Sequence, residues 1–194
     1  MTAEEIQPQQ PLKVAIIGGG PGGLGAAIEF DKLSFVDWTL YEKKPEISET
    51  GGGISLQRHT WRMLELNGAA KNIQPNDFFR AAGRLSGEQR SVPGSDSPEL
   101  AYLANSRRNG RTGELLAQSL HPSETPPHQL SCRMVRAKLQ AALLKEVDQS
   151  RVKLSKKLVE IVKLPSGRLY IRFDDGFADE IDLLVGADGI RSVS

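Results

Sequence analysis

The sequence predicts an α/β fold organised on a parallel sheet, and three observations carry that prediction. The first is a β-α-β pattern near the start: an apolar run at Lys13–Ile17, a glycine turn, a helical stretch and a second strand. The second is an amphipathic pattern with apolar residues at Val135, Leu139, Ala142, Leu143 and Val147, the spacing of one helix face. The third is a strand pattern at Ile181–Val185 that runs into the small-residue loop GADGIRS. Two parallel strands joined through a helix require a crossover, which is right-handed in nearly all known cases.

Taken in order, residues 1–11 (MTAEEIQPQQP) are acidic and Gln/Pro-rich and read as a flexible N-terminus, not as a signal peptide. Lys13–Ile17 is a short buried strand, and the helix after the turn spans roughly Gly22–Leu33. Trp38–Glu42 (WTLYE) is a strand of alternating character. A second glycine cluster, ETGGGISL, begins at Glu49, and a helix over about Gln57–Leu66 stops at Gly68. Residues 12–74 thus form the first part of a dinucleotide-binding domain.

Residues 75–131 are rich in Pro, Ser, Gly and Arg and form an inserted region. ELAYLANS and GELLAQSL read as two strands around an Asn109-Gly110 turn, and a disordered loop is the alternative. Residues 132–194 return to the first domain. They begin with the amphipathic helix and continue with three strand candidates, Val152–Leu154 with Lys157–Leu164, Leu169–Phe173 after the PSGR turn, and Ile181–Val185; a three-strand meander is expected over about 152–180.

Composition limits the function. The hydrophobic share of 39%, with 19 glycines besides, is enough for a real core. The net charge of +1 gives no electrostatic case for nucleic acid or an anionic membrane. Arg80, Arg84, Arg90, Arg107, Arg108 and Arg111 alternate with Glu88, Asp96 and Glu99, as on a solvated surface. Cys132 is the single cysteine, so neither an intrachain disulfide nor a cysteine-based metal cluster can form, and no metal site is expected. No stretch approaches the roughly 18 apolar residues of a membrane span. A cytoplasmic protein is the simplest expectation.

The chemistry concentrates in two loops. Gly18, Gly20 and Gly23 give G-x-G-x-x-G: the first glycine for the tight turn, the second for close approach of a pyrophosphate, the third for helix–strand packing. Pro21 and Gly22 open the helix, whose N-terminus offers free N–H groups and a partial positive charge. Glu42 follows Gly18 by 24 residues, against the roughly 20 expected for a carboxylate that binds an adenosine ribose. The other reading of Glu42 is an exposed strand-end charge. In GADGIRS, the near absence of side chains at Gly186, Ala187 and Gly189 allows close backbone approach, and Asp188 either accepts from a sugar hydroxyl or caps its own turn. The fingerprint alone does not separate NAD from FAD.

VAIIGGGPGGLGAA, LYEKKPE, GGGISL, RAKLQAALL and DLLVGADGIRS, in that order, resemble the N-terminal half of the FAD-dependent aromatic hydroxylases, the family of salicylate and p-hydroxybenzoate hydroxylases. The resemblance is weakest over 75–131. It implies a glutathione-reductase-type FAD-binding (Rossmann-like) fold, with the inserted hairpin belonging to a partial substrate domain. It implies FAD as cofactor, NAD(P)H (NADPH or NADH) as transient reductant and a small aromatic molecule as substrate. By the same resemblance Glu42, with Lys43 beside it, holds the adenosine ribose, and the loop Gly51–Gly53, including Gly52 and Gly53, lies near the flavin. Arg136 contacts the FAD, and Asp188, next to Gly189, contacts FAD and influences use of the reductant. Arg136 alone also reads as a surface helix charge, and Arg191 as a phosphate ligand or a surface residue. His59, in QRHT (Gln57–Thr60), departs from the family pattern. It reads as a solvated helix-start residue, with flavin contact or attachment as the alternative. No catalytic acid or base is assigned.

The family continues beyond the point matching Ser194, so the expectation is a truncated product, a fragment, or a chain whose C-terminal half is separate, with self-association through uncovered faces. Three functions follow: an FAD monooxygenase or its N-terminal portion, an FAD-binding module without turnover, and an NAD-linked dehydrogenase.

Overall fold

A computed structural model describes residues 10–48, 52–79, 103–120, 125–126, 129–189 and 192. The chain divides into two compact units, residues 1–51 with 139–194, and residues 52–138. In chain order the strands are β1 (Leu12–Ile17), β2 (Val36–Tyr41), β3 (Gly53–Leu56), β4 (Phe78–Phe79), β5 (Leu103–Arg108), β6 (Leu115–Leu120) and β7 (Cys132–Val135). They continue as β8 (Val152–Lys153), β9 (Leu158–Lys163), β10 (Leu169–Phe173), β11 (Ala178–Ile181) and β12 (Leu183–Gly186). The α-helices are α1 (Pro21–Asp31), α2 (Arg58–Leu66) and α3 (Arg136–Leu144).

The first unit holds a parallel sheet in the order β12-β1-β2-β8. Val14, Ala15, Ile16 and Ile17 are all buried, which explains why β1 reads as a continuous apolar run rather than an alternating one. Helix α1 buries Gly23, Leu24, Ala27 and Ile28. A second, antiparallel sheet has the order β11-β10-β9. Ala15, Ile17 and Tyr41 of the parallel sheet share a core cluster with Leu158, Ile171, Phe173 and Ile181. Tyr41 stacks on Phe173 with ring centroids 4.6 Å apart. The Tyr41 hydroxyl donates to Asp179 Oδ2 at 2.8 Å, and Lys13 Nζ donates to the other oxygen at 2.5 Å. Burial, then the hydrogen bond to Asp179, push the Tyr41 phenol well above its usual range. Burial also opposes ionisation of Asp179, yet the bonds from Lys13 and Tyr41 and the Lys13 charge prevail and lower its pKa.

Two expected boundaries move. The strand expected at Ile181–Val185 is divided at Asp182. Asp182 Oδ2 accepts from Lys13 N–H and its own N–H donates to Lys13 O, each at 2.8 Å, so one residue brackets the start of β1 while the chain passes from one sheet to the other. The Val152–Leu154 pattern supplies β8, which pairs with β2 in the parallel sheet rather than joining the antiparallel one.

In the second unit, β7 pairs antiparallel with both β3 and β4. The Gly53–Leu56 pairing with Cys132–Val135 draws residues 52–74 into this unit, so the division falls at 51/52 and 138/139 instead of 74/75 and 131/132. Val135 belongs to β7 and is 52% exposed, so the amphipathic helix begins one residue later than its apolar pattern. Trp61 of α2 meets Phe78 edge to face at 5.4 Å. Strands β5 and β6 form an antiparallel pair. Their connection is longer than the two-residue turn expected at Asn109-Gly110. Asn109 Oδ1 accepts from the N–H groups of Arg111 and Thr112, Asn109 N–H donates to Glu114 O, and Gly113 rather than Gly110 takes the positive φ. Residues 99–102 of the expected first strand lie outside the described residues.

Candidate functional site

In the first unit, β1 and β12 are parallel neighbours, so the loops that leave their carboxyl ends lie side by side. That is where open α/β sheets bind ligands. Gly18 N–H donates to Tyr41 O and Ala187 N–H to Ile17 O, both at 2.8 Å, tying both loops to the sheet. Gly18 has φ +109°, and a Cβ there would lie 2.5 Å from Ala187 O. A Cβ on Gly23 would lie 1.9 Å from Gly18 O. Both positions therefore admit only glycine, one for turn conformation and contact with the neighbouring loop, the other for helix–turn contact.

Gly20 is the N-cap of α1 and Pro21 follows at its first turn. No side chain caps this end and no acidic residue sits in the first turn, so the N-terminal N–H groups keep their donor capacity and positive potential. Gly22 is exposed, and a Cβ on it would meet nothing within 4 Å. A concavity of about 420 Å³ beside it is lined by Gly22, Val185–Gly189 and Ser192. Among the described residues no side chain caps the end of α1, which is polar through its backbone and suits a pyrophosphate.

Glu42, one residue beyond β2, is 9% exposed and so is not a surface charge. Oε2 accepts from Gly19 N–H at 2.6 Å, and Oε1 from Lys44 N–H at 2.9 Å. Its backbone is fixed as well: its N–H donates to Lys153 O at 2.9 Å and its carbonyl accepts from Lys156 N–H at 2.8 Å. Ser155, with φ 54°, donates its N–H to Lys44 O and completes this strap. Lys43 is exposed. Asp188 Oδ1 accepts from the Ser192 hydroxyl at 2.7 Å, and Gly189 has φ +84°.

The site residues expected from sequence therefore fall into two sets. Gly18, Gly20, Pro21, Gly22, Gly23, Glu42, Lys43, Asp188 and Gly189 belong to the first unit; Gly52, Gly53 and Arg136 belong to the second. Gly52 has φ +80° and its carbonyl accepts from Arg136 N–H at 3.2 Å, so these two are neighbours through the backbone. Gly53 begins β3, and the Arg136 side chain is exposed at the start of α3. His59 is exposed in the first turn of α2. Gly51 and Arg191 lie outside the described residues. Two residues escaped the sequence reading. Gly19 is buried, and a Cβ on it would lie 3.1 Å from Ile47 and 3.2 Å from Glu42 Oε2; the triplet Gly18–Gly20 was its only signal. Gln140, 5% exposed, donates from Nε2 to Gly19 O at 2.8 Å. Its sole signal was a polar residue beside Leu139 on a helix otherwise buried through apolar positions.

Among the described residues no cluster of His, Cys, Asp or Glu suits a metal ion, and no helix is long and apolar enough to cross a membrane. No family model matches the chain. It is 32% identical over 184 residues to 6-methylsalicylate 1-monooxygenase of Aspergillus terreus, covering 93% of this chain and 38% of that protein. It is 31% identical over 182 residues to 2-heptyl-3-hydroxy-4(1H)-quinolone synthase of Pseudomonas aeruginosa, covering 93% and 41%. Salicylate hydroxylase of Pseudomonas putida is 26% identical over 186 residues, with 93% and 37% covered. Among solved structures, Klebsiella pneumoniae HpxO complexed with FAD and uric acid matches with TM-score 0.63 and 22% identity over 97% of this chain and 42% of that one. The 2,6-dihydroxypyridine-3-hydroxylase of Arthrobacter nicotinovorans matches with TM-score 0.62 and 22% identity over 96% and 39%. The structural likeness shows a shared α/β fold. Over nearly all of its length the chain is similar to these monooxygenases and hydroxylases, and it spans about two fifths of their length.

Proposed function

We propose that this chain is the FAD-binding portion of a flavin-dependent monooxygenase that hydroxylates a small aromatic molecule at the expense of NAD(P)H. The observation that carries the reading is the uncapped N-terminus of α1, set between the buried Glu42 carboxylate and the Gly186–Gly189 loop. In the glutathione-reductase-type arrangement this implies, the N–H groups at the start of α1 bind the pyrophosphate. Glu42 binds the adenosine ribose. A carboxylate offers about four acceptor sites. Two are used by Gly19 and Lys44, which leaves one on each oxygen for a ribose hydroxyl. Asp188 is the acceptor offered by the second loop. Gly52, Gly53 and Arg136 are assigned to the flavin end on the resemblance, and the hairpin β5–β6 to the start of a substrate region. When bound, the flavin supplies electron transfer from the nicotinamide and activation of O2 for ring hydroxylation; the protein's part is to bind, orient and exclude water.

Titration of the purified chain with FAD tests the binding claim. Quenched, red-shifted flavin bands are expected, and an unchanged flavin spectrum alongside tight NAD binding would replace this reading by that of an NAD-linked dehydrogenase. Oxygen uptake and product analysis with NADH and NADPH on a panel of hydroxybenzoates then separate a monooxygenase from a flavin-binding module: bands without turnover identify the module.

A further inference from the structure

The buried amide of Gln140 is a polar group on a helix face otherwise made of Leu139, Ala142 and Leu143. Such a group is costly unless its hydrogen bonds are made, so its contact with the glycine turn has a purpose in packing terms. Gly19 O can only accept, so the atom facing it at 2.8 Å must be the donor Nε2. On the other side of the same residue, Gly19 N–H is held by Glu42 Oε2 at 2.6 Å. The two peptide groups that flank the Gly19 Cα are therefore each fixed by a buried side chain.

This matters because a glycine permits rotations of its neighbouring peptides that other residues forbid. Rotation of the peptide between Gly19 and Gly20 would swing the Gly20 N–H, and Gly20 is the N-cap of α1. A turn left free to rotate must be ordered when a ligand arrives, at a cost in affinity. We infer that Gln140 is a positioning residue for dinucleotide binding, which locks the Gly19–Gly20 peptide so that the phosphate-facing turn is set before the ligand binds. The inference rests on the FAD reading for the identity of the ligand, and on the hydrogen bond alone for the hold on the turn.

Gln140→Leu removes the donor at nearly constant volume. Trp38→Phe serves as the comparison: it removes a hydrogen bond of the same unit, Trp38 Nε1 to Asp31 Oδ1 at 3.0 Å, remote from the turn. Two quantities are read for each: the FAD dissociation constant by flavin fluorescence, and amide hydrogen exchange over residues 18–24 without ligand. Gln140→Leu is expected to weaken FAD roughly tenfold and to speed exchange in the turn, whereas Trp38→Phe lowers the melting temperature and changes neither. Should the leucine variant fail to fold, Gln140→Met keeps the unbranched length and carries no donor, and the same weakening is expected. Unchanged affinity and exchange in a folded Gln140 variant would overturn the inference, as would equal weakening by Trp38→Phe. If the parent chain binds no FAD, the FAD reading falls, and the exchange measurement still decides whether Gln140 holds the turn.

Discussion

The chain has two glycine-rich stretches, and they are glycine-rich for different reasons. In the first, around Gly18–Gly23, the fold itself demands the residue: side chains at Gly18 and Gly23 would run into backbone atoms at 2.5 and 1.9 Å. In the second, a Cβ on Gly52 would meet nothing within 4 Å, and one on Gly53 only Met134 O at 3.7 Å. Among the described residues no atom fills the space there, and only the positive φ of Gly52 calls for glycine. A glycine motif can thus mark either a tight internal contact or room for another molecule, and only the surroundings of each position tell which.

The sharpest way to test this contrast is Gly23→Ala. The added methyl has no room beside Gly18 O, so unfolding free energy should fall by about 3 kcal/mol or more, read from the urea midpoint. A midpoint unchanged within error would mean the turn relaxes freely and the contrast is wrong. Gly20→Val comes next. The backbone at Gly20 (φ −72°, ψ 175°) suits valine, so far-UV circular dichroism should be retained. Its branched side chain would stand where the pyrophosphate is expected, so FAD binding should be lost. Full flavin occupancy would remove this turn from the ligand site.

Glu42→Ala should show an intermediate effect on two readouts. Losing the proposed ribose contact should cost about 1.5–3 kcal/mol of FAD affinity. The N–H groups of Gly19 and Lys44 also lose their acceptor, at about 1–3 kcal/mol of stability. Isothermal titration and thermal melts on the same samples separate the two, and an unchanged dissociation constant would leave Glu42 a purely structural residue. The smallest effect belongs to Gly53→Ala, whose stability should stay within about 0.5 kcal/mol of the parent. A loss of 2 kcal/mol in chemical denaturation would show that the second stretch is packed as tightly as the first.

Much of this was legible because its causes are local. The apolar run of β1, the glycine spacing, Pro21 and the strand-end Glu42 each carry their signal within a few residues, and the Gly186–Gly189 loop is recognisable by its lack of side chains. What stayed hidden depends on partners far along the chain. Nothing near Gln140 announces a contact with Gly19, 121 positions away. Asp182 breaks an apolar run because Lys13 meets it from 169 positions away, so periodicity read one strand where two sheets exchange the chain. The pairing of β3 with β7 likewise joins two short stretches, neither long enough to show a period of its own. At Asn109 the signal was local but ambiguous: an Asn-Gly pair favours a two-residue hairpin turn, and the Asn side chain instead organised a longer loop.

The bracket that Asp182 places on Lys13 sets the phase of the two loops that leave β1 and β12. From it the register runs Val14 with Leu183, Ala15 with Leu184, Ile16 with Val185 and Ile17 with Gly186, and Ala187 then rests against Gly18. A slip of one residue would move β12 by about 3.3 Å along β1 and turn its side chains to the opposite face. Asp182 therefore acts as a gauge stop at one end of a short ruler, and the spacing it fixes is read at the other end, where the glycine turn and the Gly186–Gly189 loop meet.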